Sequence, residues 1–260
     1  MAHKTLLGGT SYDISGGKTL VNGTAYSIAG GKTLVSGTAY NISFGVDLAA
    51  LFSGMTVLNV VGRNSSTRNT VQMYVTDYLQ SGETAYVLSF GSGNVSITKI
   101  KRGTDRGTIL YQSSSTSGNI YFDAYDQLAY SDDGWTSITK KYGATLALVQ
   151  FDQPETKVDA ALSALQYVTS TGRNTSSIAA TDVTSQANSC SIGDIAFVAV
   201  EKLFAVNIRT SSNTFDNLAG NASSIPTLLF TENGNLYIGA YGSLSYDKYY
   251  GTTFHVVRGG

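Results

Sequence analysis

The chain of 260 residues is longer than the ~100 to 150 residues of a usual single domain, and its charged fraction of 13% is about half the ~25% typical of soluble globular chains. With 17 Lys and Arg against 18 Asp and Glu, no field of one sign exists to gather nucleic acid or an anionic membrane, and the many β-branched and aromatic residues exclude a disordered chain. A single cysteine, Cys190, excludes an intrachain disulfide framework and reads as a small buried apolar residue.

The chain opens without the apolar stretch of an export signal, and no apolar run of about 18 residues occurs anywhere. Neither export by that route nor membrane insertion is expected. Residues 1–45 instead hold a repeat of 14 residues: KTLLGGTSYDISGG from Lys4, KTLVNGTAYSIAGG from Lys18 and KTLVSGTAYNISFG from Lys32. Each copy reads as a β-hairpin. A short strand such as Thr19-Leu20-Val21 meets a two-residue turn candidate, Asn22-Gly23, and then a strand with Thr24, Tyr26 and Ile28 at alternate positions. Gly8-Gly9 and Ser36-Gly37 hold the same turn place in the other copies. An isolated hairpin is marginal in water, so Leu20, Tyr26, Ile28, Leu34, Tyr40 and Ile42 are the candidate anchor and assembly residues. Burial within one three-hairpin prism and burial in a trimeric spiral of three chains both satisfy the requirement. So short a segment favours the intermolecular form, a homo-oligomer and preferably a trimer.

The wording KTLVNGTAYxI, repeated and closed by Ile42-Ser43-Phe44-Gly45-Val46, resembles the N-terminal module of structural proteins from phage and prophage gene clusters of Gram-positive bacteria. The resemblance spans residues 1–55. It implies a virion- or tail-associated component with a shared attachment module, a variable displayed part and other virion proteins as partners. Assembly in the host cytoplasm and release by lysis would account for an extracellular-looking composition without an export signal.

Beyond Val61 the chain reads as if written twice. Gly62-Arg63-Asn64-Ser65-Ser66 recurs as Gly172-Arg173-Asn174-Thr175-Ser176, and Gly82-Glu83-Thr84-Ala85-Tyr86-Val87 as Gly193-Asp194-Ile195-Ala196-Phe197-Val198. Gly118-Asn119-Ile120-Tyr121 recurs as Gly234-Asn235-Leu236-Tyr237, with Tyr130 matched to Tyr246, and Tyr142-Gly143-Ala144-Thr145-Leu146 as Tyr250-Gly251-Thr252-Thr253-Phe254. Strand-like runs (84–90, 120–125, 146–151, 195–200 and 253–257) are separated by Gly, Ser and Asn clusters. The expected fold is all-β: hairpin repeats over residues 1–45, then two tandem, duplicated β-sandwich-like domains over residues 46–153 and 154–260. Residues 46–52 and the segment from Pro154 to Leu162 are each open to a helix or an irregular connection.

Catalytic chemistry is hard to assemble. The two histidines, His3 and His255, form no Ser/His/Asp set, and His255 reads as a solvent- or interface-facing strand residue. No His or Cys cluster has metal-ligand spacing. The densest acidic group, Asp123, Asp126, Asp132 and Asp133, lacks a counterpart in the second half and reads as solvated loops, with paired-carboxylate glycan cleavage or a Ca²⁺ site as the sharper alternatives. No catalytic residue, metal or cofactor is expected. The 17 tyrosines are more informative, because an aromatic face with a hydrogen-bonding edge suits sugars and protein interfaces alike. Tyr125, Tyr130, Trp135, Tyr246 and Tyr249 are the candidate surface-binding residues, for subunits or for a host-surface glycan. The expected function is that of a structural, non-enzymatic virion component (tail, fibre or capsid decoration), with a receptor- or carbohydrate-binding module of a tail fibre or tip as the alternative.

Overall fold

The computed structural model describes the backbone of six strands before residue 47. From residue 47 to 260 it describes all residues but 105, 114–117, 134–135, 213, 222–226, 231–235 and 240–248, with backbone alone for 227–230, 236, 237 and 239. The chain divides into two compact units, Met1–Val46 and Asp47–Gly260.

In the first unit, β1 (His3–Leu7) pairs with β2 (Thr10–Ile14), β3 (Lys18–Val21) with β4 (Thr24–Ser27) and β5 (Gly30–Val35) with β6 (Thr38–Ser43), all antiparallel. The registers close on Leu7 and Thr10, Val21 and Thr24, and Val35 and Thr38, which leaves the two-residue connections that the turn candidates require. Tyr26 and Tyr40 stand opposite Thr19 and Thr33, whereas Leu20 and Leu34 stand opposite Ala25 and Ala39, and Ile42 opposite Gly31. With a period of two, the leucine and tyrosine positions fall on opposite faces of each hairpin. Ile28 lies outside the described residues. Each pair is a two-stranded sheet, with no third strand in it among the described residues.

The second unit opens with a short helix, α1 (Leu48–Ser53), capped by the Asp47 carboxylate, which accepts the Ala50 amide at 3.1 Å. The first half then runs through β7 (Met55–Asn69), β8 (Gln72–Tyr74), a 3₁₀ turn at Val75–Asp77, β9 (Thr84–Gly91), β10 (Asn94–Lys101), β11 (Thr108–Gln112), β12 (Asn119–Phe122), β13 (Gln127–Ser131) and β14 (Lys141–Phe151). The second half runs through α2 (Glu155–Ser163), β15 (Gln166–Ala179), α3 (Thr184–Asn188), β16 (Ile195–Val200), β17 (Leu203–Ser211), β18 (Thr214–Gly220), β19 (Thr227–Phe230), β20 (Leu236–Gly239) and β21 (Tyr249–Arg258). Both segments open to either a helix or an irregular connection are therefore helical, at α1 and α2.

The duplication is topological. The first half forms a five-stranded antiparallel sheet in the order β11-β10-β9-β14-β7, and the second half forms β18-β17-β16-β21-β15, the same order strand for strand. These two sheets pack face to face. Tyr86, Leu88, Phe90, Val95 and Ile97 of one meet Ile195, Phe197, Phe204 and Val206 of the other, with Phe90 and Phe204 rings 5.2 Å apart. The odd-numbered neighbours on β9 and the even-numbered ones on β16 point outward into second cores. Ala85 and Val87 pack under the small sheet β12-β13-β8 with Ile120, Phe122 and Leu128, while Ala196 and Val198 pack with Val183, Ala187 and Ile238. Each half is thus a β-sandwich-like layer pair. Strands buried on both faces explain why Ala85–Leu88 and Ile195–Val200 read as unbroken apolar runs, not as alternations.

The repeated motifs are what join the halves. Asn174 accepts the Tyr142 amide at 3.0 Å and donates to the Gly143 carbonyl; in return, Asn64 accepts the amides of Tyr250 and, at 3.1 Å, Gly251. Thr145 donates its hydroxyl to the Glu201 carbonyl at 2.8 Å, and Thr253 accepts the Gly93 amide at 3.2 Å. Ser92 and Glu201, in the matching β9–β10 and β16–β17 turns, share a left-handed backbone at φ 54° and 52°. The helices are exchanged as well, α1 lying against β18 and α2 against β11. One internal match slips by a strand. The Ile238 amide donates to the Thr181 carbonyl as the Tyr130 amide does to Val71, so β20 holds the place of β13, not of the β12 that shares its Gly-Asn-Ile/Leu-Tyr wording.

Where β14 crosses β21, a methyl group on Gly143 would lie 2.6 Å from the Cα of Gly251. Backbone on both sides cannot yield as a side chain could. Gly143→Ala or Gly251→Ala is expected to lower stability by about 1–3 kcal/mol, read from the urea midpoint of the full chain.

Candidate functional site

The turn between β12 and β13 carries the most exposed aromatic ring of the described residues, Tyr125, which is 84% exposed. Its place comes from local carboxylate chemistry. Asp123 accepts the amides of both Tyr125 and Gln127 at 3.0 Å, an Asx-type turn that ends β12 at Phe122 and takes Tyr125 out of the strand its sequence suggests. Asp126, with φ at 62°, anchors the turn from below: it accepts the Gly103 amide at 2.8 Å and faces the Arg102 guanidinium at 3.4 Å. Its carbonyl accepts the Val75 amide at 3.1 Å, which ties the turn to the segment after β8.

That tie brings Tyr74 and Tyr78 to the same end, at 49% and 39% exposure. Tyr74 stands opposite Gln127 in the β8–β13 register. The site is therefore three tyrosines from two segments around the β12–β13 turn, with Asp123 already committed to backbone donors. Rings with apolar faces and phenolic edges can stack on sugar rings or pack in a protein interface. Sequence reasoning missed Tyr74 and Tyr78. The signal was present in Gln72-Met73-Tyr74-Val75, whose exposed, buried, exposed, buried order puts Tyr74 in the polar phase.

The other surface candidates divide. Tyr130 and Tyr249 are buried, at 1% and 7% exposure, so neither offers its ring to a ligand. Tyr130 fills the core beneath β12-β13-β8, where burial among apolar neighbours pushes its hydroxyl well above the usual tyrosine range. Tyr249 begins β21 within the core of the second half. Trp135 and Tyr246 lie outside the described residues.

The acidic group does not converge. Asp132 pairs with Lys141 at 2.7 Å, while Asp133 accepts from the hydroxyls of Ser137 and Ser131, which hold its carboxyl far below the usual range. Asp123 and Asp126 serve the β12–β13 turn. No group of three or more potential metal ligands occurs among the described residues. Cys190 is half-buried and donates its thiol to the Gln186 carbonyl at 3.2 Å, and burial raises its pKa to about 11.

His255 departs from the solvent-facing option. It is fully buried between the two large sheets, at the position that Ala147 holds in the first half. The Gly93 carbonyl, 3.1 Å from Nδ1, can only accept, which puts the proton on Nδ1 and leaves Nε2 to accept from the Tyr111 hydroxyl at 2.7 Å. Burial lowers its pKa to about 4. The ring is a neutral bridge from β21 to β11 and to the β9–β10 turn.

No protein-family model, curated protein or solved structure matches the chain.

Unfolded, the imidazole takes its proton near 6.5; folded, it does so only near 4. Stability from this group is complete above the first value and falls as the pH drops through the window, by up to about 3 kcal/mol, with no further loss below it. Urea titrations of the wild type between those two pH values should track this slope, and His255→Gln should flatten it.

Proposed function

We propose that the chain is a structural component of a bacteriophage virion (a tail, fibre or capsid-decoration protein), held in the particle by its N-terminal repeats and acting by assembly, not turnover. The observation that carries this reading is the series of three two-stranded hairpins, each with both edges unpaired among the described residues. Open edges and apolar residue types on both faces are completed by neighbouring strips, and a trimer of this chain seated among other virion proteins meets that need. The repeat wording adds its resemblance to virion-associated modules. The double-layered second unit, rich in strands buried on both faces, suits a displayed part that must keep its shape.

Deleting residues 1–45 is expected to abolish incorporation into particles while the unit Asp47–Gly260 keeps its cooperative unfolding transition. Normal incorporation of the shortened chain would refute the reading.

A second reading, a receptor- or carbohydrate-binding module of a tail fibre or tip, is favoured by the three exposed tyrosines around the β12–β13 turn. On a glycan array, the full chain should bind at least one saccharide class, and Tyr125→Ala should weaken that binding about tenfold, the loss expected of one well-packed aromatic anchor.

A further inference from the structure

We propose that a cleft at the junction of the two halves binds an oxyanion, carboxylate or phosphate, carried on a polyhydroxylated chain. This goes beyond the assembly reading and does not depend on it.

The cleft is lined by Arg68 at the end of β7, Ser92 in the β9–β10 turn, Asp132 after β13, Lys140 just before β14, Lys141 and Tyr142 at its start, and Asn174 of β15. Its volume of about 240 Å³ is below the ~300–1,000 Å³ of pockets that enclose a drug-sized ligand. It seats one unit of a longer chain. Of its three basic side chains, Lys141 alone is neutralised, by Asp132 at 2.7 Å; Arg68 and Lys140 have no carboxylate partner among the described residues. The Arg68 guanidinium lies over the Tyr142 ring, 5.3 Å from its centre. A cation held over an aromatic ring keeps its N–H groups available, and a guanidinium can make a two-pronged contact with an oxyanion. The Ser92 hydroxyl and the Thr139 side chain add polar groups suited to sugar or polyol hydroxyls.

The duplication separates what the fold needs here from what it does not. Tyr142 and Asn174 recur as Tyr250 and Asn64, and their clamps are made in both copies. Arg68, Ser92 and Lys141 do not recur. The β7–β14 and β15–β21 registers put Ile178 at the place of Arg68 and a buried Tyr249 at that of Lys141, and the matching turn has Glu201 for Ser92. Among the described residues, the same backbone framework stands in the second copy without a cation at the places of Arg68 and Lys141, while Lys140 aligns with Lys248, which lies outside them. Arg68 in the first copy is therefore additional to folding, and with Lys140 it sets two uncompensated cations beside a polar cleft, which match a ligand of opposite charge.

Affinity electrophoresis of the full chain through polygalacturonate, poly(glycerol phosphate) and neutral dextran tests this. Retardation is expected in one or both anionic polymers and not in dextran; the responsive polymer identifies carboxylate or phosphate. Arg68→Ile, which installs the residue of the other copy, and Lys140→Gln, at an exposed position, should each weaken the effect about tenfold, while Lys157→Gln on the exposed face of α2 should not. Far-ultraviolet circular dichroism verifies that each variant is folded. The proposal is overturned if neither anionic polymer retards the chain, if both cleft variants behave as the wild type, or if Lys157→Gln loses as much as they do.

Discussion

The second unit depends on the close crossing of β14 over β21 at Gly143 and Gly251. Two backbones can approach this closely only where both residues lack a Cβ, and once there, their amides and carbonyls need partners that no sheet ladder supplies. Asn64 and Asn174 supply them, each from the opposite half. The crossing fixes how the two large sheets face each other, and so decides which strand faces meet in the central core. It also places the turns bearing Ser92 and Glu201 against their opposite sheets, and seats His255 within reach of Gly93 and Tyr111.

Much of this was legible as repetition before it was legible as structure. The words Gly-Arg-Asn and Tyr-Gly recur because the fold uses each pair twice, and Gly82 and Gly193 recur at matching left-handed turns with φ at 81° and 93°. The hairpin grammar of the first 45 residues was equally explicit, since a two-residue turn leaves only one register. Interlocking was not legible. A sequence match says that two segments adopt the same conformation; it does not say that each copy completes the other, with α1 and α2 each lying against the sheet of the opposite half. Local wording also misled. Gly-Asn-Ile/Leu-Tyr is turn-to-strand grammar that fits any strand opening, so it aligned β12 with β20 although hydrogen bonding gives β20 the role of β13.

The tyrosines show the same limit at the level of single residues. Tyr125 and Tyr130 lie five positions apart in similar polar company, yet one is the most solvent-bare ring described and the other is nearly sealed. The difference lies in Asp123, whose carboxylate converts the intervening residues into a turn, and in the pairing of β13 with β12 and β8, which buries Tyr130 and its strand neighbours. His255 departs from the solvent-facing option for a related reason. Alternation along β21 implies one buried face, but that strand is buried on two, so both phases of the alternation are interior.

A duplication whose copies complete one another has a genetic consequence. A crossover within residues 47–260 that replaced one copy would have to bring matching Asn, Gly and Thr positions with it, or leave half of the reciprocal contacts without partners. A crossover near residue 46 falls at the boundary between the two compact units. Inheritance should therefore treat the hairpin strip as an exchangeable cassette and the paired copies as an indivisible one, and divergence between the copies should collect at positions such as Arg68 and Ile178, where drift in one does not have to be answered in the other.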